Sequence, residues 1–168
     1  VAVSCAYVAA NPLARIHADP VHRDGAIFYR PRVEDLTFRA MLSRACSWWN
    51  REHDMSPAYV LEHEQIHFAL FEVTARRLNR DMPKRLSAPD LEASTADSVV
   101  AAVQGRVQSA LNRALAETGE LNLQFDRATS FGFSLARQTS WRQRVEADLK
   151  DLAAYAATPP PVPETSSP

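Results

Sequence analysis

With 168 residues, 46% of them apolar, the chain is long enough for one domain with a substantial core. Its 19 basic and 20 acidic residues leave a net charge of −1, which gives no electrostatic reason to expect nucleic acid or a charged membrane surface as partner. No apolar run approaches the ~18 residues needed to cross a bilayer, so no transmembrane helix is expected.

In chain order, Val1 to Ala10 reads as a strand that Asn11-Pro12 breaks. The chain starts at Val1 and not at methionine, a start that is either processed or arbitrary; the signal peptide of a secreted or periplasmic protein, the expected location, would leave no trace once removed. Cys5 and Cys46 are the only cysteines; they are either two free core thiols or one disulfide, and export favours the bridge. His17 and His22 flank Asp19-Pro20 in an expected loop. Ala26 to Arg30 follows the Asp24-Gly25 turn as a short strand bounded by Pro31, and Leu36 to Ser43 reads as another. Trp48-Trp49 comes next, with buried anchoring its commoner role and a cleft wall the alternative. His53 lies in a charged loop, Asn50 to Asp54, where a solvated side chain is the expectation.

Ser56-Pro57 is a helix start: a hydroxyl residue at the N-cap, then a proline where a missing N–H costs nothing. The helix should run to about Arg80 and stop at Pro83. Within it stands His63-Glu64-Gln65-Ile66-His67. Histidines four apart fall about 40° apart around a helix, so both imidazoles can reach one Zn²⁺. They share the apolar stripe with Val60, Leu70, Phe71, Thr74 and Leu78. Glu64 projects about 100° away and can take a proton from metal-bound water without being a ligand. Two satisfied core histidines are the bland alternative.

A second helix is expected from a start at Ser87 to Asp90 through Leu91, Val99, Val103, Val107, Leu111 and Leu115 to about Glu117, with Gly119 ending it. Leu121 to Gly132 reads as irregular or extended, and a third helix spans roughly Ser134 to Ala156. Residues 158–168, rich in proline and serine, make an expected disordered tail, leaving a single domain over residues 1–157. The fold class is therefore α+β: a small N-terminal sheet packed on the histidine helix, then two long helices.

The motif has a wider frame. Tyr59 to Phe68 reads Y-V-L-E-H-E-Q-I-H-F and is followed by Glu72 and Ala75-Arg76-Arg77-Leu78. Trp48 precedes it, and Phe125-Asp126-Arg127-Ala128-Thr129-Ser130-Phe131-Gly132 follows, with Gln138 and Trp141 beyond. Across roughly residues 35 to 150 this resembles a family of secreted or periplasmic bacterial zinc-dependent proteases, whose core reads H-E-Q-x-H-F with E-x-x-A-R downstream. The resemblance implies a zincin-like metallopeptidase acting on peptide or protein substrates, with His63 and His67 as zinc ligands and Glu64 as general base.

The family's later segment reads Y-D-x-E-T-x-H-G, and its histidine is the natural third ligand. Here Phe131 occupies that place and Ala128 the glutamate's. Asp126 keeps its position and can offer a carboxylate to the metal; its competing role is that of a turn residue. Glu72 lies on the far side of the helix and should pair with Arg76 instead. Tyr59 and Tyr29 are available residue types for a second oxyanion donor. The alternative to an enzyme is a catalytically degenerate zincin-like domain acting as a binding or scaffold module.

Overall fold

A computed structural model of the chain describes residues 2–50 and 55–158, so His53 and the tail beyond Thr158 lie outside the described residues. The described fold is α+β. Its first third forms strands β1 (Ala2–Val3), β2 (Ala6–Ala10), β3 (Arg15–Arg23), β4 (Ala26–Glu34), β5 (Phe38–Leu42) and β6 (Trp48–Trp49). These join as three antiparallel pairs, β1 with β6, β2 with β5, and β3 with β4. Helices α1 (Pro57–Leu86), α2 (Ala96–Ala128) and α3 (Leu135–Asp151) follow. None of the described helices is long and apolar enough to cross a membrane.

The β3–β4 hairpin corrects the loop expected around His17 and His22, since both histidines sit on β3. Asp24 and Gly25 both adopt positive φ, 51° and 77°, as the two-residue turn that matches strand twist requires. His17 and Asp19 alternate with Ile16 and Ala18, and Ile16 packs on the core, but Pro20 inside the run reads as a break. The strand's stability comes from the ladder to β4 and from cross-strand pairs such as Arg32 with Asp19 at 2.8 Å. Tyr29 turns its backbone N–H and C=O outward to Ala93. Pro31, two residues on, therefore faces outward too, where its missing N–H breaks no ladder bond. That is why β4 continues through a proline expected to end it.

Helix α1 is the spine. Its C-terminal half packs against the strands and the first half of α2, burying Leu78, Met82 and Leu86 with Val8, Phe38 and Val103. Its N-terminal half packs against the end of α2 and against α3, burying Ile66, Leu70 and Val73 with Phe125 and Val145. The helix passes through Pro83 rather than stopping there. Proline forfeits one helical bond, but Met82 and Leu86 on either side are buried and hold the last turn.

Helix α2 departs most from expectation. It begins at Ala96, capped by Thr95, whose side-chain oxygen accepts from the Ser98 N–H at 3.2 Å. The earlier start signal produces only a 3-10 turn, Pro89–Leu91. The helix then runs through Gly119 to Ala128, so Leu121 to Ala128 is helical, not irregular. A helical glycine costs about 1 kcal/mol. Burial of Thr118 and Phe125 on its two sides outweighs that cost. Thr118 also shares a buried hydroxyl hydrogen bond with Thr74 at 2.6 Å, tying α2 to α1.

Candidate metal centre

Two helices and a loop build the site. Ser56 is the N-cap and Pro57 the first residue of α1, as its sequence indicates, but the Ser56 hydroxyl makes no capping bond. Its carbonyl instead accepts from the N–H groups of Tyr59 and Val60. His63 and His67 lie one turn apart with ring centroids at 4.8 Å. Phe125, fully buried, forms their floor: it stacks on His63 at 4.5 Å and meets His67 edge-on at 4.8 Å.

The far side of each ring decides its chemistry. Gln138 of α3 donates through Nε2 to the Tyr59 carbonyl at 3.3 Å, which turns its Oε1 toward His63 Nδ1 at 3.1 Å. Asn122 of α2 donates through Nδ2 to the Thr118 carbonyl at 2.8 Å, which turns its Oδ1 toward His67 Nδ1 at 2.6 Å. An amide oxygen only accepts, so both Nδ1 atoms carry the proton. In the neutral rings both Nε2 atoms then present lone pairs.

Those lone pairs converge. The two Nε2 atoms are 3.2 Å apart, and Asp126 Oδ1 lies 3.3 Å from that of His63 and 3.1 Å from that of His67. Three acceptors facing one another without a donor repel unless a cation lies among them. Tetrahedral ligands at 2.0–2.1 Å from one ion are spaced by about 3.3 Å, so this donor set fits Zn²⁺ without rearrangement. Burial pushes the His63 imidazole below its ordinary range and His67 adds to the shift, against an opposing pull from Gln138, Glu64 and Asp126. Neutral imidazole is the ligating form.

Glu64 is half-buried, lines the same cleft, and makes no hydrogen bond or ion pair among the described residues. It stands outside the donor set. Asp126 enters the set because α2 continues through Gly119 and places it one turn beyond Asn122. Phe131 does not enter it. Ser130, Phe131 and Gly132 all take positive φ, 52°, 56° and 87°, and this turn leaves the Phe131 side chain 70% exposed. A Cβ placed on Gly132 would sit 3.5 Å from His63 Nδ1, so the loop backbone packs directly on a donor ring.

The other candidates lie elsewhere. His17 faces Glu34 at 3.2 Å on the hairpin, and His22 is on the same strand; neither is in the donor cluster. Glu72 binds Arg76 at 2.7 Å, as its spacing indicates. Cys5 and Cys46 form a disulfide with Cα atoms 5.8 Å apart. Trp48 and Trp49 are not buried anchors: both are exposed on β6, paired with β1. Tyr59 lines the cleft, whereas Tyr29 belongs to β4.

Two residues acquire roles that sequence reasoning did not assign. Gln138 belongs to the family-like segment, but its buried position against His63 depends on how α3 docks. Asn122 fell in a stretch read as irregular. Helical spacing to Asp126 four residues later was its one local signal. Searches of protein-family models, curated proteins and solved structures return no match to this chain.

Proposed function

We propose that the protein is a zincin-like zinc metallopeptidase, in which His63, His67 and Asp126 hold Zn²⁺ and Glu64 is the general base. The observation that carries this is the convergence of two Nε2 lone pairs and a carboxylate oxygen at 3.1–3.3 Å, with each histidine oriented by its own amide. The H-E-Q-x-H-F resemblance supports the peptidase assignment. The Cys5–Cys46 bridge agrees with an oxidising, extracytoplasmic location.

A bound zinc ion would acidify a water and polarise a peptide carbonyl. The remaining work falls to the chain. Glu64, unpaired among the described residues and open to the cleft, accepts the water's proton and returns it to the leaving amine. Gln138 and Asn122 hold the imidazoles in one tautomer, and Phe125 closes the floor against solvent.

Glu64→Gln tests the reading. Zinc content should be retained while hydrolysis of a peptide library falls by about 10²–10⁴-fold. Hydrolysis at the wild-type rate would sink the mechanism. Zinc binding with no turnover in either protein would favour the second reading, a binding or scaffold module, for which Phe131 at the family's histidine position is the motivating observation.

A further inference from the structure

We infer that the cleft beside the metal centre selects peptides with a bulky apolar side chain next to the bond held at the ion, and that Phe131 and Phe133 wall that subsite. This rests on the metallopeptidase reading above and adds a substrate class to it.

The cleft has a volume of about 440 Å³. Binding pockets for small ligands start near 300 Å³, so it takes a side chain or two of an extended peptide rather than a folded partner. Its polar groups gather on the floor, at His63, His67, Asn122 and Asp126, with Glu64 beside them. Val3, Met55 and Val60 supply apolar wall, and Phe131 and Phe133 complete it.

The loop geometry places those aromatics. Three successive left-handed residues, Ser130 to Gly132, reverse the chain just after α2. The turn is held by the Phe131 N–H donating to the Asp126 carbonyl at 2.7 Å and the Ser134 N–H donating to the Thr129 carbonyl at 2.9 Å. A bulky residue in this region is strained, and such strain gathers at ligand-binding positions. Gly132 rests against the His63 ring. The residues immediately before and after it therefore flank whatever group occupies the donor set. Both are phenylalanines, 70% and 69% exposed. The most apolar side chains of the segment stand at the cleft, not in the core.

Charge narrows the class. Among the described lining residues only Glu64 and Asp126 are formally charged; there is no lysine or arginine. Apart from the ion itself, an acidic side chain or a terminal carboxylate finds no counter-ion among the described lining residues and faces two carboxylates. A basic side chain would have to engage Glu64, the group needed for proton transfer. Neutral, apolar side chains in the middle of a peptide meet neither obstacle.

The test titrates zinc-loaded Glu64→Gln protein calorimetrically with peptides of one backbone whose central residue is Phe, Leu, Gly, Asp or Lys. The Phe and Leu peptides should bind at least about tenfold more tightly than the others, the scale on which apolar pockets discriminate. Phe131→Gly and Phe133→Ala, each added to Glu64→Gln, should cut that preference at least about threefold while zinc content and Tm stay unchanged. Glycine accepts the backbone conformation at 131, so that variant does not burden the fold. Equal affinity for all five peptides, or a preference unaltered in both variants, overturns the subsite even if the wild-type protein hydrolyses peptides. Conversely, an apolar preference that the variants lose, in a protein whose wild type hydrolyses nothing, upholds the subsite and removes the enzymatic reading.

Discussion

His63 Nδ1 donates to Oε1 of Gln138, 75 residues further along the chain, at 3.1 Å. Gln138 is fully buried and uses its amide N–H on the Tyr59 carbonyl, so one side chain clamps the first turns of α1 and sets which nitrogen of His63 faces the site. Asn122 does the same for His67 from α2. These neutral amides stand where metal sites often use carboxylates. They fix the tautomer without adding negative charge beneath the rings.

Replacing Gln138 by leucine should lower zinc affinity about 10–100-fold, the usual cost of losing a partner behind a ligand. Gln138→Glu keeps an acceptor toward Nδ1 and should retain most of the affinity. Competition with a chromophoric chelator gives the affinities, and imidazole ¹⁵N shifts report the tautomer. Wild-type affinity in the leucine variant, with Nδ1 still protonated, would refute the positioning role.

Asp126→Asn removes the charge but leaves the backbone carbonyl that receives the Phe131 N–H. The loop should therefore persist, while zinc affinity drops by at least about tenfold for want of an anionic ligand. Circular dichroism checks the first outcome and chelator competition the second. Unchanged affinity would return Asp126 to the role of a turn residue.

Reduction of Cys5–Cys46 releases a loop of sequence separation 41 that contains β2 to β5. Loop-closure entropy puts its contribution near 3–4 kcal/mol, or a fall in Tm of about 10 °C for a domain of this size. Differential scanning calorimetry with and without reductant measures it. Because β1 lines the cleft, weaker peptide binding on reduction is also expected.

Gly132→Ala meets no collision, since its Cβ lies at ordinary contact distance from His63. It does force a side chain onto φ of 87°. The expected cost is about 1 kcal/mol of stability, read from urea denaturation. A neutral or stabilising result would show that the loop reaches a different backbone conformation at little cost.

Glu92 tethers the hairpin to the segment before α2: Arg30 and Arg23 each donate to it at 2.8 Å. The hydrogen bond from Arg30, aided by Arg23, holds its carboxyl below the usual range. Asp19 and Asp90 are lowered likewise, by hydrogen bonds from Arg32 and Arg106. Carboxyls with depressed folded pKa stabilise the fold fully above their unfolded values, near 4, and lose that contribution as pH falls through the folded values. Metal-free protein should therefore lose urea stability first as pH falls below about 6.5, because burial resists protonation of His63, with a further, carboxyl-linked decline below about 4. Glu92→Gln should shallow the decline; an identical slope would remove Glu92 from the account.

Local patterns were readable where a single element carries the chemistry. Pro57 begins α1, and the periodicity that follows sets His63 and His67 on one face with Glu64 beside them. Gly119 and Pro83 misled because their penalties are local and small, whereas the burial of Thr118, Phe125, Met82 and Leu86 that overrides them depends on partners distant in sequence. Strand β3 is hidden because Pro20 interrupts its alternation, and only the ladder to β4 shows that the run continues through it.

By itself, the sequence determined the helix that carries two imidazoles and a carboxylate at the spacing a metal ion requires, because helical geometry depends only on residues within a turn of one another. Tertiary structure alone decided the rest of the centre. The antiparallel packing of α2 on α1 sets Asp126 and Asn122 beside histidines 55 to 63 residues earlier, and the docking of α3 delivers Gln138. Phe131 stands where family resemblance expects a ligand, whereas Asp126, five residues earlier and still on α2, is the residue that lies 3.1–3.3 Å from both Nε2 atoms. Which side chains meet across helices follows from how buried faces fit together, and no spacing along one chain encodes that.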